Sequence, residues 1–514
     1  MHKFKNINLF CFIFLLISKN SFSLNNENVN SNCFLIDKVD LTGSTLLDYR
    51  NISKVISPYL QQCLTLNDMQ EVAKSITNNY IEKGYVTSQA IIPEQDLSNN
   101  KLVIRIIEGR IKNISINGIS SRLVDIIFPS SKGKVLNLRD LEHGLEQLNR
   151  LTTAQYTLDI QPSDSVGYSS VTINRKVKKF PLKNQLTIDN SGSETTGKIL
   201  LTNTTTIDSL FGLGEQWIFS LKTNTDFLRE HYFRTYSASM NIPYGYWFYQ
   251  YQLSHSQSSY PFQIHNSQYS YKNKNRDQQF DISRLVYRDN KQRITLKGTL
   301  KHKKAKTQLA QQKLLINSPT LTSLSFSPEY TLSLHNGYLI INPTAEFGIS
   351  LFGATPDYIA DNSPRSQYRK LSLNLSYQYL LTDQFSYLTS FHSQYTPDNL
   401  YGSEKIAIDG IKAVRGYKEI NFNANSGFYW RNEINISPIT SFLSKWNFIF
   451  ALDYGVAHSD QYETEKNKII GSAIGASFYH STFSSQILIN KPMFYPRSLK
   501  PDCWSFYWSI SLAI

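Results

Sequence analysis

From about Lys179 to the C-terminus the chain is written in segments of roughly ten residues in which apolar and polar side chains alternate, with turn residues between them. Examples are Trp217 to Thr223, Tyr232 to Ile242, Arg293 to Leu300, Leu371 to Tyr379 and Trp446 to Val456. A period of two sends successive side chains to opposite faces of a strand. Past the N-terminus no stretch holds the 18 or so consecutive apolar residues that a spanning helix needs. Aromatics make up 13% of the chain, with 32 Tyr and 29 Phe, which suits the aromatic girdles of a strand-built membrane wall. The fold class read from this pattern is mainly β, with a transmembrane β-barrel over 179–514; a large soluble β-protein is the alternative. Eleven or twelve strands precede a polar stretch at 398–425 and five follow it. The stretch Tyr260 to Tyr287 reads either as two strands or as one strand with a long extracellular loop. Single-chain bacterial barrels have an even strand number, so sixteen is the expected count.

The N-terminus reads as a secretory signal over 1–23. His2, Lys3 and Lys5 form a basic start, Ile7 to Ile17 an apolar core, and Ser21-Phe22-Ser23 a small-residue cleavage site. A membrane anchor would need a much longer core. Of four cysteines, Cys11 leaves with the signal. Cys33 and Cys63 are the expected disulfide, because an exported chain meets an oxidising compartment. Such a bridge would contribute roughly 3–4 kcal/mol on the chain-entropy picture. Cys503 is left unpaired in the last strand. No Cys/His spacing suggests a metal.

After a short segment at 24–32, residues 33–110 and 111–178 repeat one α+β pattern. In the first, Phe34 to Leu41 alternates as a strand. Asn67 with Gln70 reads as a capping box. Met69, Val72, Ala73, Ile76 and Tyr80 line one helix face, and Gly84 ends the helix. Tyr85 to Pro93 and Lys101 to Glu108 read as strands. In the second, Ile111 to Asn117 is a strand and Asn137 caps a helix carrying Leu138, Leu141, Leu145, Leu148 and Leu151. Tyr156 to Gln161 and Ser170 to Asn174 complete the unit. A repeated supersecondary unit indicates a modular array.

The formal net charge is +13, with Lys and Arg dispersed except in Lys301-His-Lys-Lys-Ala-Lys306, which reads as a solvated loop beside a strand end. No helix-turn-helix, zinc-finger or phosphate-loop spacing appears, so neither nucleic acid nor ATP is implied. No catalytic grouping is present, and the chain reads as a non-enzyme with no cofactor.

One polar segment stands apart: Leu400 to Tyr417, ending Val414-Arg415-Gly416-Tyr417. Some thirty residues on, Phe450-Ala-Leu-Asp-Tyr-Gly455 places one acid in an otherwise apolar strand. On that strand Phe448, Phe450, Leu452, Tyr454 and Val456 share the face that suits lipid. Asn447, Ile449, Ala451, Asp453 and Gly455 share the other. A carboxylate facing lipid at mid-depth costs several kcal/mol, so Asp453 faces the lumen. Arg415, whose planar fork can grip a carboxylate with two hydrogen bonds, is the candidate partner. Gly416 permits a sharp turn or close approach. Such a pair is expected to be wet, and worth about 1 kcal/mol or less. The bland alternative is an exposed loop arginine and an unrelated lumenal acid.

These two motifs together resemble the signature of two-partner secretion transporters, the outer-membrane barrels that export haemolysins and large adhesins. The two repeats resemble POTRA domains through Cys33-Phe34, Cys63-Leu64, Gly84-Tyr-Val-Thr-Ser88, Ile92-Pro-Glu-Gln-Asp-Leu97 and Leu138-Arg-Asp-Leu-Glu-His-Gly-Leu-Glu-Gln-Leu-Asn149. The resemblance implies a sixteen-stranded barrel and two periplasmic POTRA units that receive a secreted exoprotein. It also implies a loop folded into the pore, with its arginine on the wall acid. The implied partners are the exoprotein cargo, outer-membrane lipid and the barrel assembly machinery, with no nucleic acid. An outer-membrane assembly insertase of the same superfamily and a diffusion porin are the rival readings. Two departures stand out. The segment 24–32 is too short for the plug helix and linker that many relatives carry. The chain also ends Ser511-Leu512-Ala513-Ile514 rather than on an aromatic.

Overall fold

The computed structural model describes residues 33–46, 49–177, 181–226, 228, 230–264, 267–357, 363–418, 420, 422–439, 443–458, 467–497 and 499–513. The signal at 1–23 and the segment 24–32 lie outside the described residues. The chain divides into two compact units. One runs to Asn79 and includes Gln89–Ile107; the other comprises Tyr80–Ser88 and everything from Glu108 onward.

In the N-terminal unit Lys38–Thr42 pairs in parallel with Lys101–Ile107, which pairs antiparallel with Gln89–Ile91. Helix Leu66–Glu82 buries Met69, Val72, Ala73 and Ile76, the face its spacing dictates, and Val39, Leu102 and Ile104 of the sheet are buried as well. Its cap differs from the expected one. Thr65 and Asp68 form the reciprocal pair: the Thr65 amide donates to Asp68 Oδ2 at 2.8 Å, and the Asp68 amide donates to Thr65 Oγ1 at 3.3 Å. A threonine hydroxyl at that position wins because it reaches the third amide of the helix. The expected strand Phe34 to Leu41 breaks at Asp37 into Phe34–Ile36 and Lys38–Thr42, and the former pairs with Gln62–Leu64. Cys33 and Cys63, joined as a disulfide with Cα atoms 5.2 Å apart, tie that short ladder. The strand expected from Tyr85 to Pro93 shrinks to Gln89–Ile91.

The second unit opens with the repeat. Arg110–Ile116 lies parallel to Tyr168–Val177, which pairs antiparallel with Ala154–Pro162. Helices Arg122–Ile127 and Leu138–Asn149 cover this sheet, with Leu123, Leu141, Leu148, Val171 and Ile173 in one core. Asn137 caps the longer helix, its Oδ1 accepting from the Arg139 amide at 2.8 Å.

Sixteen antiparallel strands then close a barrel, from Leu182–Asp189 to Ser505–Ala513, with a two-residue ladder at Gln312–Lys313 extending one hairpin. Eleven strands precede the polar loop and five follow it. The undecided stretch belongs to two strands, Trp247–Ile264 and Ser267–Arg288, of 18 and 22 residues. A tilted strand needs only about 9–11 residues to cross the hydrocarbon, so these two project beyond it. Gln292–Leu309 is likewise 18 residues long and contains the whole Lys301 to Lys306 run. That run is strand, not a solvated loop: all of it pairs with Ser267–Arg288, and through Lys304 it also pairs with Thr320–Leu334; polarity does not end a strand that has left the membrane. The closing seam is the thinnest junction, with five register pairs between Ser505–Ala513 and Leu182–Asp189 against 18 between Trp247–Ile264 and Ser267–Arg288. Cys503 is free and exposed just ahead of the last strand rather than within it.

Candidate functional site

The loop that follows Phe385–Tyr395 turns back against the wall and folds on itself. Ile406–Ala407 pairs with Asn423–Ala424, and the Val414 amide donates to the Ile408 carbonyl at 3.0 Å. Ile406, Ile408, Val414 and Tyr417 pack with Ala457 and Ile469 of the wall as one buried cluster. Apolar burial therefore holds the loop body, and polar contacts fix its position.

Arg415 is the tip of this fold. Its Nε lies 2.6 Å from Asp453 Oδ2 and its Nη2 2.7 Å from Oδ1, while its backbone amide donates to Oδ2 at 3.0 Å. Nη1 turns to a second carboxylate, Glu433 Oε2, at 2.8 Å. Asp453 is on the inner face, as strand parity requires, with Phe450 and Leu452 exposed on the outer one. The expectation of a wet pair is corrected: Arg415 is 1% exposed and Asp453 0%. Parity places a side chain on the lumen side, but it does not say that the loop itself will fill the lumen there.

Close backbone approach makes the contact possible. A Cβ on Gly471 would fall 1.7 Å from the Arg415 carbonyl oxygen, and one on Gly455 would fall 2.8 Å from Val414 Cγ2. Gly416 has φ +100, and its missing Cβ would meet the Lys491–Pro492 peptide at 2.8 Å. The Tyr417 hydroxyl lies 2.7 Å from the Ile470 carbonyl and 2.6 Å from that of Phe494, where the ladder between their strands slips register. The bulge opens acceptors that the ladder no longer uses, and one phenol proton serves them. Next along the loop, Lys418 Nζ donates to the Asn190 carbonyl at 2.8 Å and sits over the Tyr507 ring, so the loop also reaches both sides of the closing seam.

The loop root is held with the opposite polarity. Glu404 accepts from Lys303 Nζ at 2.8 Å, Lys370 Nζ at 3.1 Å and the Tyr368 hydroxyl at 3.1 Å. Lys370 also approaches Glu346 at 3.3 Å. Neither Glu404 nor Glu433 stood out in the sequence. Glu433 sits beside Arg431, the register partner of Asp453, and strand pairing was the signal that could have found it.

A third constellation joins the second POTRA-like fold to the periplasmic turns of the barrel. Glu146 binds Arg288 through two hydrogen bonds of 2.7 Å. Arg150 reaches the Gly214 carbonyl at 2.6 Å and packs on the Phe248 ring. His143 donates to the Gly245 carbonyl at 3.1 Å and stacks on Tyr246, so its proton is on Nε2. Burial holds the His143 imidazole below its usual value. Among the described residues no cluster of His, Cys, Asp and Glu has the arrangement to hold a metal.

Residues 167–478 match the family described as haemolysin secretion/activation protein ShlB/FhaC/HecB, residues 34–109 the ShlB-type POTRA domain, and residues 110–162 a second POTRA domain. The outer membrane transporter CdiB of Dickeya dadantii (strain 3937) is 33% identical over 478 residues, covering 91% of this chain and 85% of its own. The hemolysin transporter protein ShlB of Serratia marcescens is 30% identical over 415 residues, covering 79% and 73%. The solved structure of CdiB from Escherichia coli superposes with a TM-score of 0.90 at 31% identity, covering 96% of this chain and 93% of that one.

Proposed function

As the chain belongs to the haemolysin secretion/activation protein family of two-partner outer-membrane transporters, we propose that it takes up one large exoprotein, of haemolysin or adhesin type, in the periplasm and passes it unfolded to the cell surface. The protein is an outer-membrane transporter with its POTRA domains on the periplasmic side. The observation that carries the reading is the dry pin of Arg415 on Asp453 and Glu433, which holds a folded loop inside a closed barrel. A diffusion porin has no need of two receptor domains, and a conduit for protein must move or reshape such a loop. We assign the receptor role to 33–110 and 111–178 and the conduit to 179–514, inserted in lipid by the barrel assembly machinery.

Strand edges in both receptor domains support uptake of an extended chain. Gln89–Ile91 pairs on one side only, beside helix Leu66–Glu82, and Ala154–Pro162 is likewise an edge. An extended segment can add to such an edge through main-chain hydrogen bonds that tolerate varied sequence, with the groove along the helix selecting side chains. The test is co-expression with a large secreted protein encoded in an adjacent reading frame, where the genome holds one. Export of that protein, lost when 111–176 are removed from a barrel that still inserts, supports the proposal. Normal export without 111–176, or insertion defects in other barrels in place of an export defect, overturns it.

A further inference from the structure

The three longest barrel strands carry a basic surface that faces away from the pore. Alternation on Ser267–Arg288 is regular: Lys272, Lys274, Arg276, Gln278 and Phe280 are exposed, and the residues between them are not. On Gln292–Leu309, Lys303 reaches Glu404 of the inward loop, so odd positions face the lumen and Lys304 and Lys306, both exposed, face outward.

Register brings the outward cations together. Arg276 lies opposite Lys304, and Lys274 opposite Lys306. On the other flank His255 is opposite Arg276, and Gln257 lies between Lys274 and Arg234. Like charges directly opposite on neighbouring strands are destabilising, and two such pairs stand one above the other. Among the described residues none of Arg234, Lys274, Arg276, Lys304 and Lys306 is within salt-bridge distance of a carboxylate, whereas the inward Lys301 and Lys303 reach Glu346 and Glu404. Lys272 shares a recess with Glu230 and is set apart from the group. The arrangement calls for an anion that the chain does not supply.

Position says which anion. Leu253, Gln278 and His302 form the next outward row below, and the row after that is apolar, with Phe280 opposite both Tyr251 and Leu300. Arg288, at the other end of the same strand, contacts Glu146 on the periplasmic side. Arg276 lies twelve residues beyond Arg288. At about 3.4 Å per residue and a tilt near 40°, that is about 30 Å, the thickness of the hydrocarbon layer. The patch therefore stands where the outer leaflet's headgroups begin, facing lipid and turned from the path of a cargo in the pore. We propose that Arg276, Lys304, Lys274 and Lys306, flanked by Arg234, form a binding site for the phosphorylated headgroup of an outer-leaflet lipid. Paired cations bracket a phosphate through charge-assisted hydrogen bonds, and the apolar row beneath receives the acyl chains.

The test uses the full chain in nanodiscs of zwitterionic lipid, with bisphosphorylated lipid A, its dephosphorylated form and inorganic phosphate as probes. The comparison variant combines K274Q, R276Q, K304Q and K306Q. A control with equal charge loss combines K54Q, K83Q, K132Q and K134Q. Heat-modifiable gel mobility verifies that each barrel is folded. Salt-sensitive retention of bisphosphorylated lipid A is expected, weakened at least about tenfold in the patch variant and unchanged in the control. The dephosphorylated lipid should not be retained, and inorganic phosphate should not compete. Equal retention by the patch variant, equal loss in the control, or binding of inorganic phosphate alone would overturn the proposal. So would a patch that binds the exoprotein and not the lipid. None of these outcomes depends on export, so the assignment can fail without touching the transport reading.

Discussion

The inward loop is fastened at two ends by opposite devices. At the tip one cation, Arg415, is enclosed by two carboxylates. At the root one carboxylate, Glu404, is enclosed by two lysines and a tyrosine. The tip also depends on backbone contact through Gly416, Gly455 and Gly471, where no side chain fits. The root is reached by long lysines from two different strands and by Tyr368, just ahead of the second of them. The tip is thus specified by shape. The root is specified by charge and is redundant, since Glu346 remains beside Lys370 when Glu404 is lost.

That contrast ranks the expected effects. Arg415→Ala should be the most severe. It strands Asp453 and Glu433 without their cation, and breaking a buried pair costs about 3–5 kcal/mol. Hydrogen exchange across 402–424 should rise sharply while the barrel stays folded. Gly471→Ala comes next, because its Cβ would overlap the Arg415 carbonyl at 1.7 Å. Overpacking of this kind costs roughly 1–3 kcal/mol, and the same exchange measurement should show the tip displaced and the root unchanged. Glu404→Gln should be milder, about 0.5–1.5 kcal/mol, because the amide oxygen can still accept a hydrogen bond. Limited proteolysis should find the root loosened and the tip intact; a tip that opens as widely as in Arg415→Ala would erase the distinction.

The smallest effect lies outside the pore, where the second POTRA domain meets the barrel turns. Burial lowers the His143 pKa below its ordinary value, with Arg288, Arg293 and Glu146 as its charged neighbours. The folded state therefore favours the neutral ring. Its contribution is fully present above about pH 6.5 and is lost as the pH falls through the lower docked value. Crosslinking of the domain to the turn at Gly245 should weaken below that pH, and His143→Asn should flatten the dependence without touching either loop anchor.

Much of the fold was legible because a period of two is hard to disguise over so many segments. The same parity placed Asp453 inward before any partner was known. Other features were legible only in three dimensions. Glu433 is one acid among several until register puts its strand beside Asp453. Gly471 reads as an ordinary strand glycine until the Arg415 carbonyl is seen against it. The run Lys301 to Lys306 looked like a loop because charge hid its alternation; in the strand its odd members neutralise lumenal acids and its even members face outward. The dryness of the tip was beyond sequence, since it depends on the loop body folding against the wall, where Ile408, Val414 and Tyr417 pack with Ala457 and Ile469.

The central claim is that one contact, Arg415 on Asp453, positions the loop for export. A double-mutant cycle on secretion tests it directly, using Arg415→Ala, Asp453→Ala and the two combined, with surface levels of the barrel held equal. Both single variants should lose secretion, Arg415→Ala the more because Glu433 is stranded too, and the combined variant should be little worse than Arg415→Ala alone. Strictly additive losses, or full secretion by Arg415→Ala, would contradict the account.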